Sequence, residues 1–300
     1  MSEKLKNLLV RTASGAVLLL VVVGALLLSK WTAAALFAAI MIGGLIEFYK
    51  LCQARGYKPN YVVGVLASLI IFSIVLVAFY VTNDVPNETS DVAHGLTEMV
   101  YVMICCCPLG ALALSVLTPA LFIAEMWRKS ETPIANIATT FMGALYVSLP
   151  MALILVIPYI LCKEWNPWAM LAFISIIWVN DVFAYLVGVS IGKHRLCERI
   201  SPKKSWEGFF GGLIGAVGAA VLFGYLLDGN LYVWGGLGLV TALFGVAGDL
   251  VESMFKREAG VKDSGNIIPG HGGILDRFDA LFMAVPFAFI YLLFTQGILA

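Results

Sequence analysis

Long apolar runs constrain this chain more than any other feature. They recur from the first residues to the last, as in "SGAVLLLVVVGALLLS" at 14–29 and "DALFMAVPFAFIYLLF" at 279–294. About 20 apolar residues in a helix cross a bilayer core. Only 13% of the residues are charged, against roughly 25% in soluble globular domains. Within lipid every backbone polar group must be satisfied internally, which leaves helices or closed barrels. Barrel strands carry short alternating patterns rather than continuous apolar runs. The expected fold class is therefore all-α: a polytopic integral membrane protein.

Nine spans are expected, at 9–29, 31–51, 60–82, 99–124, 135–162, 166–191, 207–227, 231–253 and 278–298. The least marked boundary is the first, where only Lys30 and Trp31 separate two runs. The basic residues Lys4, Lys6 and Arg11 before the first run resemble a signal peptide, but the run reaches Leu28 with no small-residue cleavage site behind it. It is taken as a retained span.

Orientation follows from the positive-inside tendency. With the N-terminus in the cytoplasm and nine alternating spans, 17 of the 19 lysines and arginines fall on the cytoplasmic side, leaving only Lys30 and Lys163 outside. The segment from Asn83 to Glu98 has no Lys or Arg and is acidic, as an outer loop can be. None of the six cysteines forms a CxxC pair, and Cys105, Cys106 and Cys107 lie inside an apolar run, where thiols act as small hydrophobes. The chain divides in character. Residues 1–134 form a support region with few polar residues inside its spans. Residues 135–300 hold nearly all the polar residues that a membrane interior disfavours, and form the expected catalytic region of one membrane domain.

Those polar residues carry the chemistry. Asn180 and Asp181 lie deep in the sixth span, with Tyr185 one turn further on. A charge there needs water, a cation or a partner, so Asp181 is either a bundle ion pair or a ligand to substrate or ion. The loop that follows contains "SPKKSWEG". Lys203 and Lys204 bring two cations, Ser205 is placed to cap the next helix, and Glu207 falls in its first turn. A helix N-terminus beside lysines suits a phosphate; Lys193, Arg195 and Arg199 serve equally as lipid-headgroup anchors. The glycines 208, 211, 212, 215 and 218 have the spacing of close helix packing.

Near the end of the eighth span Asp249, Glu252, Ser253 and Lys256 share one helix face. This is either a salt-bridged stripe or the edge of a site. Then comes "KDSGNIIPGHGGILDRFD", 262–279, whose Gly and Pro residues forbid a long helix and favour tight turns. If the last helix starts near Ile274, Asp276 and Asp279 share a face, with Arg277 to the side. Carboxylates are favoured at a helix N-terminus by its dipole, which accounts for both without a ligand. It does not account for Asp249, for Lys262 and Asp263, or for His271 between glycines. Carboxylates on two helix ends suit Mg²⁺, and the lysines and arginines suit phosphate oxygens. Together they are the equipment of phosphoryl or nucleotidyl transfer.

The 27 residues "SMFKREAGVKDSGNIIPGHGGILDRFD", Ser253 to Asp279, resemble the signature of phosphatidate cytidylyltransferases, the CDP-diacylglycerol synthases, without departure. "NDVFAY" at 180–185 and "SPKKSWEG" at 201–208 resemble further blocks of that family. The resemblance covers about the last 130 residues; the N-terminal spans share only hydrophobicity. It implies transfer of the cytidylyl group from CTP to phosphatidic acid, giving CDP-diacylglycerol and pyrophosphate in phospholipid biosynthesis. It implies Mg²⁺, with K⁺ as a candidate second cation, held by Asp249 and Asp276 with Asp279 assisting. The expected catalytic residues are Lys256, Arg257, Lys262, Asp263, His271 and Arg277, and the expected substrate-binding residues are Asp181, Lys203, Lys204 and Ser205. For His271 a hydrogen bond that fixes the loop is an equal alternative. The expected partners are CTP, membrane phosphatidic acid and a second copy of the chain, with no nucleic acid. The expected location is a bacterial plasma membrane, with the site facing the cytoplasm. An ion or small-solute transporter and another lipid-linked phosphotransferase stand as alternatives. Against the first there are no paired repeat halves; against the second the DGxxAR context is absent.

Overall fold

Two prolines and a capping serine set the local architecture of the helical framework. In the computed structural model, which describes residues 3–84, 110, 112–270 and 272–295, the chain is mostly helical. The first helices are α1 (Glu3–Leu28), α2 (Lys30–Ala54) and α3 (Tyr61–Asp84). They are followed by α4 over residues 112–128. A broken segment comes next: α5 (Pro133–Gly143), a π turn (Ala144–Ser148), α6 (Leu149–Leu153), a 3₁₀ turn (Ile154–Val156) and α7 (Ile157–Cys162). The chain ends with α8 (Pro167–Ile191), α9 (Trp206–Leu226), α10 (Leu231–Ala259) and α11 (Leu275–Thr295).

Eight of these segments are long and apolar enough to cross a membrane, and the chain is a polytopic membrane protein. Eight of the nine expected spans correspond to them. Of the remaining span, 99–124, residues 99–109 and 111 lie outside the described residues, Cys105, Cys106 and Cys107 among them, as does most of the segment from Asn83 to Glu98.

The weakly marked boundary between the first two spans lies at Ser29. Its backbone is extended (φ −170°, ψ 154°), and its side chain accepts a hydrogen bond from the Trp31 N–H at 3.1 Å. This is an ordinary N-cap, satisfying one of the orphan amides of α2. The breaks between α5 and α7 have a different cause. Pro150 and Pro158 lie inside the run, and each removes an amide donor and crowds the preceding turn. The helix responds with a π turn before the first and a 3₁₀ turn before the second. The structure also contains two short strands, β1 (Arg195–Cys197) and β2 (Ser201–Ser205), paired antiparallel in the loop between α8 and α9. Among the described residues they add a hairpin to an otherwise helical framework.

Two compact units are present. One comprises Met1–Leu155 with Glu258–Phe278, and the other Val156–Arg257 with Asp279–Ala300. In the first, polar clamps tie the α2–α3 loop to α4 and α5. The Lys58 and Asn60 amides donate to Asn136 Oδ1 (2.6 Å) and Thr140 Oγ1 (2.8 Å), and Tyr49 Oη donates to the Thr140 carbonyl (2.7 Å). Arg128 bonds both the Lys58 carbonyl and Glu125.

In the second unit α8 and α9 form the closest helix pair, through the expected glycines. A Cβ on Gly208 would lie 2.6 Å from the Ala184 carbonyl, and one on Gly212 2.7 Å from Asn180 Oδ1. Gly211 and Gly215 make room for Val187 and Phe183, whereas Gly218 faces open space. Small residues let two membrane helices approach this closely. Also in this unit, α10 meets α11 through stacked Phe244 and Phe287 rings, and Tyr291 Oη donates to the Val233 carbonyl at 3.2 Å.

Candidate active site

The second unit gathers acid. Asp249 and Glu252 are three residues apart on α10 and therefore share a face. Asp279, on α11, meets them because Gly248 lets the helices close: a Cβ there would lie 2.5 Å from the Asp279 carbonyl oxygen. One carboxylate oxygen from each of Asp249, Glu252 and Asp279 lies within 4.8 Å of the others. Like charges at about 4 Å repel by about 4 kcal/mol at an effective dielectric of 20, so the cluster calls for cations. Two lysines answer. Lys204 Nζ pairs with Asp249 Oδ2. Lys256 Nζ lies 2.5 Å from Glu252 Oε2, whose side chain is fully buried. The three closely grouped carboxylates are a set of donors able to hold a metal ion. Ser253 Oγ donates to Asp249 Oδ1 at 3.3 Å, and the Ala280 N–H donates to Asp279 Oδ1 at 2.8 Å.

A cavity of about 580 Å³ opens beside Asp249. Asp181, Tyr185, Lys203, Lys204 and Ser205 line it, which brings the expected substrate-binding residues to one place. Its floor depends on the cap of α9. Ser205 Oγ accepts from the Gly208 N–H at 3.2 Å, and Gly188, Gly192 and Gly208 crowd around that hydroxyl. The hairpin is anchored separately. Glu207 accepts hydrogen bonds from the Lys193 and His194 amides and lies 2.6 Å from His194 Nδ1. Arg257, at the end of α10, donates from Nε to the Ile200 carbonyl at 3.4 Å. It therefore serves the hairpin turn as well as carrying charge.

The other expected residues belong to the first unit. Lys262, Asp263 and Arg277 are exposed. Asp276 Oδ2 accepts three hydrogen bonds: from the Ser264 N–H (2.9 Å), the Ser264 hydroxyl (2.9 Å) and the Gly273 N–H (2.8 Å). A turn within this loop is closed by the Ile268 N–H donating to the Gly272 carbonyl at 3.0 Å, with Gly270 and Gly272 at φ +74° and +85°. Only glycine enters that region without strain. His271 lies outside the described residues.

The sequence profile of the cytidylyltransferase family matches residues 9–295. The chain belongs to this cytidylyltransferase family. Among curated relatives, proteins named phosphatidate cytidylyltransferase are similar to part of it. The one from Staphylococcus aureus (strain COL) is 52% identical over 120 residues, covering 39% of this chain and 46% of the relative. Those from Staphylococcus haemolyticus and Staphylococcus epidermidis are 48% identical over 120 residues and 47% identical over 122. The matched stretch thus spans about half the length of these relatives. The family profile, by contrast, extends over the N-terminal helices, where sequence reasoning found only hydrophobicity.

Two carboxylates escaped selection from the sequence. Glu252 was visible on the acidic face of the eighth span, but its i,i+4 lysine offered a sufficient partner. Glu47 sits in an apolar run remote from every motif, and its only signal was a lone charge inside a span.

Proposed function

We propose that this chain transfers the cytidylyl group of CTP to phosphatidic acid, releasing pyrophosphate and forming CDP-diacylglycerol. The observation that carries the reading is the cluster of Asp249, Glu252 and Asp279 beside a lysine-lined cavity in a member of the cytidylyltransferase family. The names of the staphylococcal relatives point the same way.

In the reaction a phosphate oxygen of phosphatidic acid attacks the α-phosphorus of CTP. The new P–O bond forms as the bond to the β-phosphate oxygen breaks, and both electrons leave with pyrophosphate. A phosphate is already an anion at neutral pH, so the protein supplies positioning and charge neutralisation rather than a strong base. Oxygen donors of this kind, one fully buried and all close together, fit Mg²⁺. When bound at Asp249, Glu252 and Asp279, the divalent ion supplies neutralisation of phosphate oxygens.

Lys203 and Lys204 bind the phosphates of CTP from the cavity wall. Lys204 exchanges its partner, Asp249, for a phosphate oxygen. Lys256 pairs with Glu252 and orients it. Asp181 contacts the nucleotide from α8. Asp276, whose Oδ2 is held by three donors, is a fixed carboxylate of the kind that ligates metals through its remaining capacity. The same bonds hold the loop that carries Lys262 and Asp263 and leads into Arg277. The site faces the cytoplasm of a bacterial cell, and the enzyme works as a homodimer.

The test uses purified protein in detergent with phosphatidic acid, Mg²⁺ and CTP labelled in its α-phosphate. Label entering the lipid fraction with one pyrophosphate released per turnover is expected. Monodisperse, folded protein that transfers no label overturns the reading.

A further inference from the structure

Gly43 and Glu47 are four residues apart on α2 and so lie on one face of it. Both meet the loop that precedes α11. The Ile274 side chain fills the space where a Cβ on Gly43 would be. Glu47 is 1% exposed, and its Oε2 accepts hydrogen bonds from the Leu275 N–H at 2.8 Å and the Ser264 hydroxyl at 3.2 Å. Leu275 is the first residue of α11, so its amide is one that the helix cannot satisfy itself. A carboxylate from another helix thus caps α11, where the helix dipole also favours negative charge.

Ser264 relays this anchor. Its amide donates to Asp276 Oδ2, and its single hydroxyl proton is shared between that oxygen (2.9 Å) and Glu47 Oε2 (3.2 Å), so Glu47, Ser264 and Asp276 form one continuous chain. Two loop glycines exist to admit it. A Cβ on Gly265 would lie 2.8 Å from Glu47 Cδ, and one on Gly273 would lie 2.6 Å from it. Neither glycine has a positive φ. They serve close approach, unlike Gly270 and Gly272, which serve the turn.

We propose that Glu47 is a positioning residue, which holds the loop over residues 262–274 and the carboxylate of Asp276 in the arrangement that cytidylyl transfer uses. The role in transfer rests on the function proposed above; the role in holding the loop does not. Glu47 touches no substrate. It acts through Ser264 and the Leu275 amide, so its loss slows turnover more than it weakens CTP binding.

The test compares Glu47→Gln, Glu47→Ala and Gly265→Ala in the purified full-length chain. Two readouts are used: amide hydrogen exchange of the segment 262–276, and kcat with KM for CTP. Gln can place its carbonyl oxygen where Oε2 is and its amide where Oε1 is, a position with no hydrogen-bond partner among the described residues. It is expected to keep kcat within about threefold of the parent. Glu47→Ala is expected to speed exchange at Leu275 and Ser264 by about tenfold or more. It should lower kcat by about 30-fold with KM for CTP within about threefold. Gly265→Ala, which pushes the loop off Glu47 without removing it, is expected to produce the same pair of effects and keeps the test open if Glu47→Ala does not fold.

Unchanged exchange in both Glu47→Ala and Gly265→Ala overturns the anchor. Faster exchange with unchanged kcat overturns the role in transfer. A Gln variant as impaired as the Ala variant overturns positioning through these hydrogen bonds. A parent protein that transfers no cytidylyl group refutes the proposed function, and the exchange arm still decides whether Glu47 holds the loop.

Discussion

The ammonium of Lys204, at the end of the β1–β2 hairpin, is paired with the carboxylate of Asp249 on α10. A cation and a carboxylate so close, both lining the same cavity, can exchange partners when a phosphate arrives. Lys204→Met removes the ammonium and keeps most of the apolar stem. It is expected to lower kcat/KM for CTP about 100-fold, because a charge-assisted bond to a developing phosphate charge is lost. Lys204→Arg is not expected to restore it, since a planar fork does not replace a point charge. Initial rates at varied CTP measure this, and parental kcat/KM in Lys204→Met refutes the assignment.

The three carboxylates are expected to act as one unit. Asp249→Asn, Glu252→Gln and Asp279→Asn should each reduce transfer about 1,000-fold, and pairs of them should cost little more than one alone, as is usual for groups that work together. Glu252→Gln also leaves Lys256 without its fully buried counter-charge, so this variant alone is expected to lose stability. Chelation should stop the parent enzyme and added Mg²⁺ should restart it. Binding of Mn²⁺, followed by its paramagnetic resonance, separates ligand loss from catalytic loss. Three variants that bind Mn²⁺ as the parent does would remove the metal assignment.

How much of this was legible in the sequence depended on the range of the interaction. Span positions followed from apolar run length, which the bilayer alone dictates. Ser205 as a cap and the glycines on α9 as packing residues followed from local chemistry. The grouping of Asp249 with Asp279 was suggested by resemblance. Its physical cause, the missing side chain at Gly248, appears only once α10 and α11 are placed. Glu47 showed only as a lone charge inside a span, and its role was hidden because its partners Ser264 and Leu275 are 217 and 228 residues away. The same distance hid why Gly265 and Gly273 are glycines: both read as turn formers, yet the space they leave is taken by Glu47.

Gly248→Ala tests the contact that assembles the acidic cluster. The added methyl would meet a backbone carbonyl 2.5 Å away, with Met283 Cβ at 3.0 Å and Ala280 Cα at 3.2 Å. Backbone cannot rotate aside as a flexible side chain can, so α10 and α11 must separate. Overpacking of this kind costs about 1–3 kcal/mol. The variant is expected to unfold at lower temperature in detergent, to require more Mg²⁺ for half-maximal activity, and to lose activity at fixed Mg²⁺. An unchanged Mg²⁺ requirement would mean that the carboxylates do not depend on this approach.

Ser205 lines the cavity and also caps α9, and one substitution separates the two roles. Its hydroxyl is buried, accepts from the Gly208 amide at 3.2 Å and is enclosed by three glycines. Ser205→Ala should cost about 1 kcal/mol of stability, the usual value of an N-cap side chain. Because Gly188, Gly192 and Gly208 already enclose the hydroxyl, CTP has little access to it, and KM for CTP is expected to stay within about twofold. Thermal unfolding and initial-rate kinetics on the same preparation decide between the roles. A raised KM without loss of stability would place Ser205 against the nucleotide; the reverse would leave it as the residue that fixes the start of α9, and with it the position of Lys204 immediately before it.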